Sequence, residues 1–134
     1  MFPLIMQSFI NDGKEAILRE DFSLDIYGSI NLRVTARKGF IYDGFSVPLP
    51  FHLVQNKWNG VLPAALLHDL AYATHFLSIS KADWMFLLIM EMYGESWFHR
   101  NLLYSAVRGF GWTVYSKTEK ELTDQSQFVI VEKL

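Results

Sequence analysis

The segment "YDGFSVPLPF", residues 42 to 51, divides this chain into two halves of different texture. Gly44, Pro48 and Pro50 lie within it, so it cannot continue a central strand and reads as a loop. On its N-terminal side "INLRVTA" alternates Ile30, Leu32, Val34 and Ala36 with Asn31, Arg33 and Thr35, the period-2 pattern of a half-buried strand. Gly28-Ser29 supplies a turn between extended stretches, and Asn11-Asp12-Gly13 marks an earlier hairpin. A small antiparallel sheet is expected over roughly residues 4–42.

The C-terminal side is helical in pattern. One helix is expected from about Leu62 to His75, with Pro63 tolerated in its first turn. A second runs from about Lys81 to Tyr93 and is ended by Gly94. A third runs from about Ser96 to Tyr115, with Gly109 and Gly111 as points of bending. The tail "QFVIVEKL" has the composition of one more strand. The fold class is therefore α+β, a small N-terminal antiparallel sheet followed by a bundle of three main helices. At 134 residues the chain reads as a single domain, 1–134, with sheet and loop over about 1–45, a helical core over about 60–115 and a tail over 116–134.

Composition removes several function classes. The formal net charge is −2 with no basic tract, so no nucleic-acid surface is expected. The absence of cysteine excludes disulfides and thiolate metal sites. The start "MFPLIMQSFINDG" lacks the basic region and small-residue cleavage site of a signal peptide. The longest apolar run, Trp84 to Met90, falls far short of the roughly 18 residues that span a bilayer. A soluble protein without a transmembrane segment is expected.

Polar groups inside the helical half carry the chemistry. In "LPAALLHDLAYATH" the apolar run Ala64 to Leu67 leads straight into His68 and Asp69. Residues four apart share a helix face, so His68 stacks with Tyr72, while Asp69 is rotated by about 100° toward other partners. The short connection "ATHFLSIS" returns the second helix antiparallel to the first. Asp83 then leads an apolar stripe of Phe86, Leu87 and Met90 and needs a donor, for which the imidazole of His68 is the obvious candidate.

Plainer roles stay open beside these. Ser80-Lys81-Ala82-Asp83 fits a capping box, in which Asp83 would serve its own helix start. His68 could be a core histidine bonded to a backbone carbonyl, and Asp69 a solvated helix residue. His52, His75 and His99 form no metal-binding spacing. The aromatic set Phe40, Phe45, Phe51, Trp58 and Trp97 reads as core, or in part as a lipid-facing rim.

The ordered set "GFIYDGFSVP", "AALLHDLAY", "ADWMFLLIM" and "LLYSAVRGFG" resembles a family of small proteins of unknown function found mainly in tailed phages and prophages. Its motifs fall on Gly39-Phe40, on Asp43 with Ser46 and Pro48, on His68-Asp69 with Tyr72, on Ala82-Asp83 with Phe86, and on Tyr104 to Gly111. More distantly, the HDxxY helix, the Asp-containing loop before it and the Asp-x-x-Phe helix after it are similar to those of bacterial phospholipase A2. That resemblance implies a phospholipase A2-like bundle with His68 as general base and Asp83 as its orienter. It also implies calcium held by Asp43, Asp69 and the Gly44 carbonyl, with Tyr72 and Ser46 in support. The secreted phospholipases are held by disulfides, which this chain lacks.

Two functions follow as expectations. One is a phage- or prophage-encoded, calcium-assisted hydrolase of membrane lipid esters. The other is a non-enzymatic phage protein, a virion or tail component or host-directed binding module, that keeps the scaffold and contacts phage structural proteins. Either would be found in the cytoplasm of the bacterial host as synthesised, or in the virion.

Overall fold

The computed structural model describes residues 5–12, 15–42, 58–111, 115 and 119–134. Five strands come first: β1 (Gln7–Ile10), β2 (Glu15–Leu18), β3 (Phe22–Ile26), β4 (Leu32–Ala36) and β5 (Ile41–Tyr42). Helices α1 (Trp58–Thr74), α2 (Ile79–Met92), α3 (Trp97–Phe110) and α4 (Glu119–Ser126) follow, and β6 (Val129–Lys133) closes the chain. The α+β class read from the sequence is the one observed.

The strands form two three-stranded antiparallel sheets instead of one, in the orders β1-β2-β5 and β3-β4-β6. Alternation fixes which face of a strand is buried but says nothing about which strand lies beside it. The β3–β4 hairpin takes the C-terminal strand as its third member, so the tail expected as a strand is one. In β3, Phe22, Leu24 and Ile26 point inward, and Val34 and Ala36 of β4 join them. On the outer face Arg33 donates two hydrogen bonds to Asp25 (2.7 and 3.1 Å) and Ser23 pairs with Thr35 at 2.6 Å. The β1–β2 turn has Asn11 and Asp12 at φ 52° and 59°, a left-handed pair suited to a hairpin.

Phe40 joins the two sheets. Its ring, 1% exposed, stacks on Tyr42 of one sheet (6.1 Å, 6°) and meets Phe128 at the foot of β6 in the other (6.0 Å, 49°). Neighbouring backbone bonds do the same: Gly39 donates to Leu18 (2.8 Å) and Arg37 to Phe128 (2.8 Å).

α1 is apolar over most of its circumference, with His68 and Asp69 among the exceptions. Ala64, Leu66, Leu67, Leu70 and Ala71 are completely buried, as befits a helix packed on several sides. It begins before Leu62, so Pro63 sits a turn further in than expected. It stops at Thr74 because His75 turns left-handed (φ 56°) while its N–H still reaches Ala71 O (2.8 Å). α2 starts one turn after that stop, capped by Ser78, whose hydroxyl accepts from the Lys81 N–H at 3.4 Å. α3 is capped by Ser96, which accepts from the His99 N–H at 3.2 Å. It ends at Phe110, short of the expected Tyr115.

One apolar cluster runs through the strands' inner faces and the facing sides of the three helices, including Leu18, Ile26, Val34, Phe40, Leu67, Met85, Ile89 and Leu103. Of the aromatics read as core, Phe40 is there, but Trp97 is 68% exposed beside Phe98 at the first turn of α3. Phe45 and Phe51 lie outside the described residues, and so does the side chain of Trp58. No described helix is long and apolar enough to cross a membrane.

Candidate functional site

α1, α2 and α3 meet around one carboxylate. Asp83, on the second turn of α2, is 0% exposed. Its Oδ1 lies 2.6 Å from His68 Nε2 and accepts the Tyr72 hydroxyl at 2.6 Å; its Oδ2 accepts from Arg108 Nη1 at 3.0 Å. Both oxygens are thus engaged, by three donors from two other helices. A buried carboxylate without such partners would carry a desolvation penalty of several kcal/mol.

The local sequence explains the convergence. His68 and Tyr72 are one helical turn apart on α1, so their rings meet at a tilt (4.2 Å, 42°) and both reach Asp83 Oδ1. Phe86, one turn beyond Asp83 on α2, closes the other face of the imidazole (5.0 Å, 45°). His68 is 7% exposed. Because its Nε2 faces a carboxylate, which can only accept, Nε2 carries a proton; in the neutral imidazole the lone pair then lies on Nδ1, the tautomer a general base needs. Burial, followed by the hydrogen bond and charge of Asp83, pushes the Tyr72 phenol well above the ordinary tyrosine value, so at neutral pH Tyr72 stays protonated and donates its proton to Asp83.

Arg108 supplies the counter-charge. Its side chain is 42% exposed, and it also reaches the Ser80 hydroxyl at 3.4 Å. No periodicity marked it. The one hint was an arginine in the closing "SAVRGFG" segment, four residues after Tyr104 on an otherwise apolar helix stretch.

The residues expected at the site divide as follows. His68, Asp83 and Tyr72 come together. The capping-box role for Asp83 is overturned: Ser78, not Ser80, caps α2, which places Asp83 in the helix interior with its carboxylate turned away from the helix start. The histidine's partner is that carboxylate, not a backbone carbonyl. Asp69 is only partly buried and faces elsewhere, and its negative charge, after burial, helps raise the Tyr42 phenol. Tyr42, whose hydroxyl donates to Gln7, immediately precedes Asp43. Asp43, Gly44 and Ser46 themselves lie outside the described residues, as does His52. Among the described residues no three His, Asp or Glu side chains converge as a metal site. His75 bonds through Nε2 to the Tyr115 carbonyl (2.5 Å) and stacks flat on its ring (3.9 Å, 6°).

The model of a family described as a protein of unknown function (DUF1353) covers residues 18–107. No curated protein and no solved structure matches the chain. The matched range takes in β3, β4, β5 and His68, Tyr72 and Asp83, and stops one residue short of Arg108.

Proposed function

The chain belongs to the DUF1353 family, whose function is unknown, and from that premise we propose that it is a phospholipase A2-like hydrolase of lipid esters, encoded by a phage or prophage. The observation that carries this reading is the 2.6 Å contact between His68 Nε2 and the fully buried Asp83. An imidazole held by a carboxylate at one nitrogen is arranged to take a proton at the other.

In this mechanism His68 Nδ1 removes a proton from water as the water oxygen bonds to the ester carbonyl carbon. Asp83 steadies the imidazolium, and Tyr72 and Arg108 keep Asp83 from rotating away. The proton then passes to the leaving alkoxide, giving a fatty acid and an alcohol. Calcium, when bound by Asp69, Asp43 and the Gly44 carbonyl, would polarise the carbonyl and stabilise the oxyanion. The choice of a lipid ester comes from the resemblance of the HDxxY and Asp-x-x-Phe helices, and the proximity of Asp69 to Tyr42, the neighbour of Asp43, is compatible with it.

One observation favours a second reading. Arg108 neutralises Asp83 directly, so the carboxylate shares its charge between the imidazole and a guanidinium. A purely structural network that ties three helices together would be built in the same way. The protein would then be a non-enzymatic phage component or binding module.

Purified protein on phospholipid vesicles, with calcium and then with chelator, separates the two. The hydrolase reading expects fatty-acid release that needs calcium and falls by about 100-fold or more in His68→Ala. No release under either condition, with a folded His68→Ala identical to wild type, refutes it.

A further inference from the structure

The residue after α3 carries a constraint that general-base chemistry does not use. Gly111 has φ −59° and ψ −36°, a conformation open to every L-residue, so backbone freedom is not why glycine stands there. Space is the reason. A Cβ at Gly111 would fall far inside contact with the Tyr72 hydroxyl, 3.0 Å from its Cζ and 2.6 Å from the Val107 carbonyl oxygen. At Gly109, two residues earlier, a Cβ would meet nothing within 4 Å.

Tyr72 has no room to withdraw from such an atom. Its ring is 5% exposed and held between His68 at 4.2 Å and Tyr115, which meets it edge-on at 5.2 Å. Tyr115 is itself tied down. Its N–H donates to Gly111 O (2.9 Å), its hydroxyl donates to the Leu77 carbonyl (2.8 Å), and its carbonyl accepts from His75. The wall behind the Tyr72 ring is therefore anchored to the α1–α2 connection, and the phenol oxygen occupies the space that a side chain at Gly111 would need.

We propose that Gly111 is a positioning residue of the site: its absent side chain is the slot through which the Tyr72 hydroxyl reaches Asp83, and it thereby sets the carboxylate against His68. The proposal rests on the reading of His68 and Asp83 as the working pair, and it concerns how that pair is held. With alanine at 111 the phenol oxygen is pushed off Asp83 Oδ1. That oxygen then keeps only the imidazole as a donor, and the carboxylate is freed to turn toward Arg108.

Nuclear magnetic resonance of the full chain tests this without any substrate. The variants are Gly111→Ala, Gly109→Ala, Tyr72→Phe and the double variant Tyr72→Phe/Gly111→Ala. Gly109→Ala is expected to leave the His68 ring nitrogens unmoved. Gly111→Ala should lose the hydrogen-bonded Tyr72 hydroxyl proton and shift the His68 Nε2 resonance in the same direction as Tyr72→Phe. Adding Gly111→Ala to Tyr72→Phe should shift His68 little further. Retention of the hydroxyl proton in Gly111→Ala overturns the proposal, and so does an equal His68 shift in both backgrounds. If Gly111→Ala does not fold, recovery of folding in the double variant supports the proposal, and failure of both overturns it. Because none of these readouts needs turnover, a protein that cleaves no ester can still pass this test, and an active one can fail it.

Discussion

Replacing Asp83 by asparagine keeps the shape of the site and removes its charge. With the amide oxygen in the Oδ1 position, His68 and Tyr72 keep neutral hydrogen bonds in place of charge-assisted ones, a loss of about 1 kcal/mol each. The amide nitrogen then confronts Arg108 Nη1, donor against donor, across a present separation of 3.0 Å. Arg108 is half-exposed and can turn to water, so this contact adds only about 0–1 kcal/mol. Asp83→Asn should therefore cost about 2–3 kcal/mol, read as a fall in melting temperature of roughly 6–15 °C for a chain of this size. Arg108→Gln should cost at least as much, about 3 kcal/mol, although Arg108 is the more exposed partner. It strands a completely buried carboxylate without a counter-charge. In the Asp83→Asn background the same change should cost little. Urea and thermal unfolding of the four proteins measure the cycle. Asp83→Asn melting within about 2 °C of wild type, or two changes that add within about 0.5 kcal/mol, would refute the reasoning.

Three further outcomes are expected. Tyr42, Tyr72, Tyr93 and Tyr115 all have phenols raised chiefly by burial; stability is fully present below the unfolded tyrosine value of about 10 and falls as pH rises above it, chiefly through Tyr42 and Tyr72, by up to about 1.4 kcal/mol per pH unit for each of these two. Unfolding curves in alkaline buffer, with phenolate absorbance as the titration readout, check the slope, and a flat curve contradicts it. Ser78→Ala should destabilise by about 0.5–1 kcal/mol, the low end for a cap, since the hydroxyl is 3.4 Å from the Lys81 nitrogen; Ser80→Ala should cost less, and denaturant titration distinguishes them. Phe40→Ala should cost about 3–5 kcal/mol, because the ring bridges both sheets, and loss of less than about 1 kcal/mol in the same titration would contradict that role.

The sequence carried the polar centre further than the sheet. His68 and Tyr72 were legible because helical spacing alone puts them on one face, and Asp83 because a carboxylate heading the apolar Phe86–Met90 stripe requires a donor. The cap of α2 was misplaced by one serine. Ser78 and Ser80 flank Ile79 and look alike in sequence, and the helix starts from the first of them, three residues after the left-handed stop at His75. Arg108 stayed hidden because an arginine near a helix end reads equally well as a solvated complement to the helix dipole, and its partner lies 25 residues away on another helix. The division into two sheets was hidden for a related reason. The third strand of the β3–β4 sheet comes from the far end of the chain, and no local pattern announces so distant a neighbour. The sequence left Trp97 between core and an exposed aromatic rim, and its place in the first turn of α3 turns it outward.

The arrangement around Asp83 also bears on how the protein opens. Among the described side chains of α3 only Leu103, Ala106 and Val107 are buried, a modest apolar hold that by itself would let this helix detach and redock on its own. Detachment would take Arg108 away from Asp83 and carry Gly111 off the Tyr72 hydroxyl, leaving a carboxylate in an apolar seam without its cation. That intermediate is penalised, so α3 is bound into the cooperative unit of α1 and α2. Its interior amides should exchange their protons at rates close to those of α1, through a shared opening rather than by fraying of a peripheral helix.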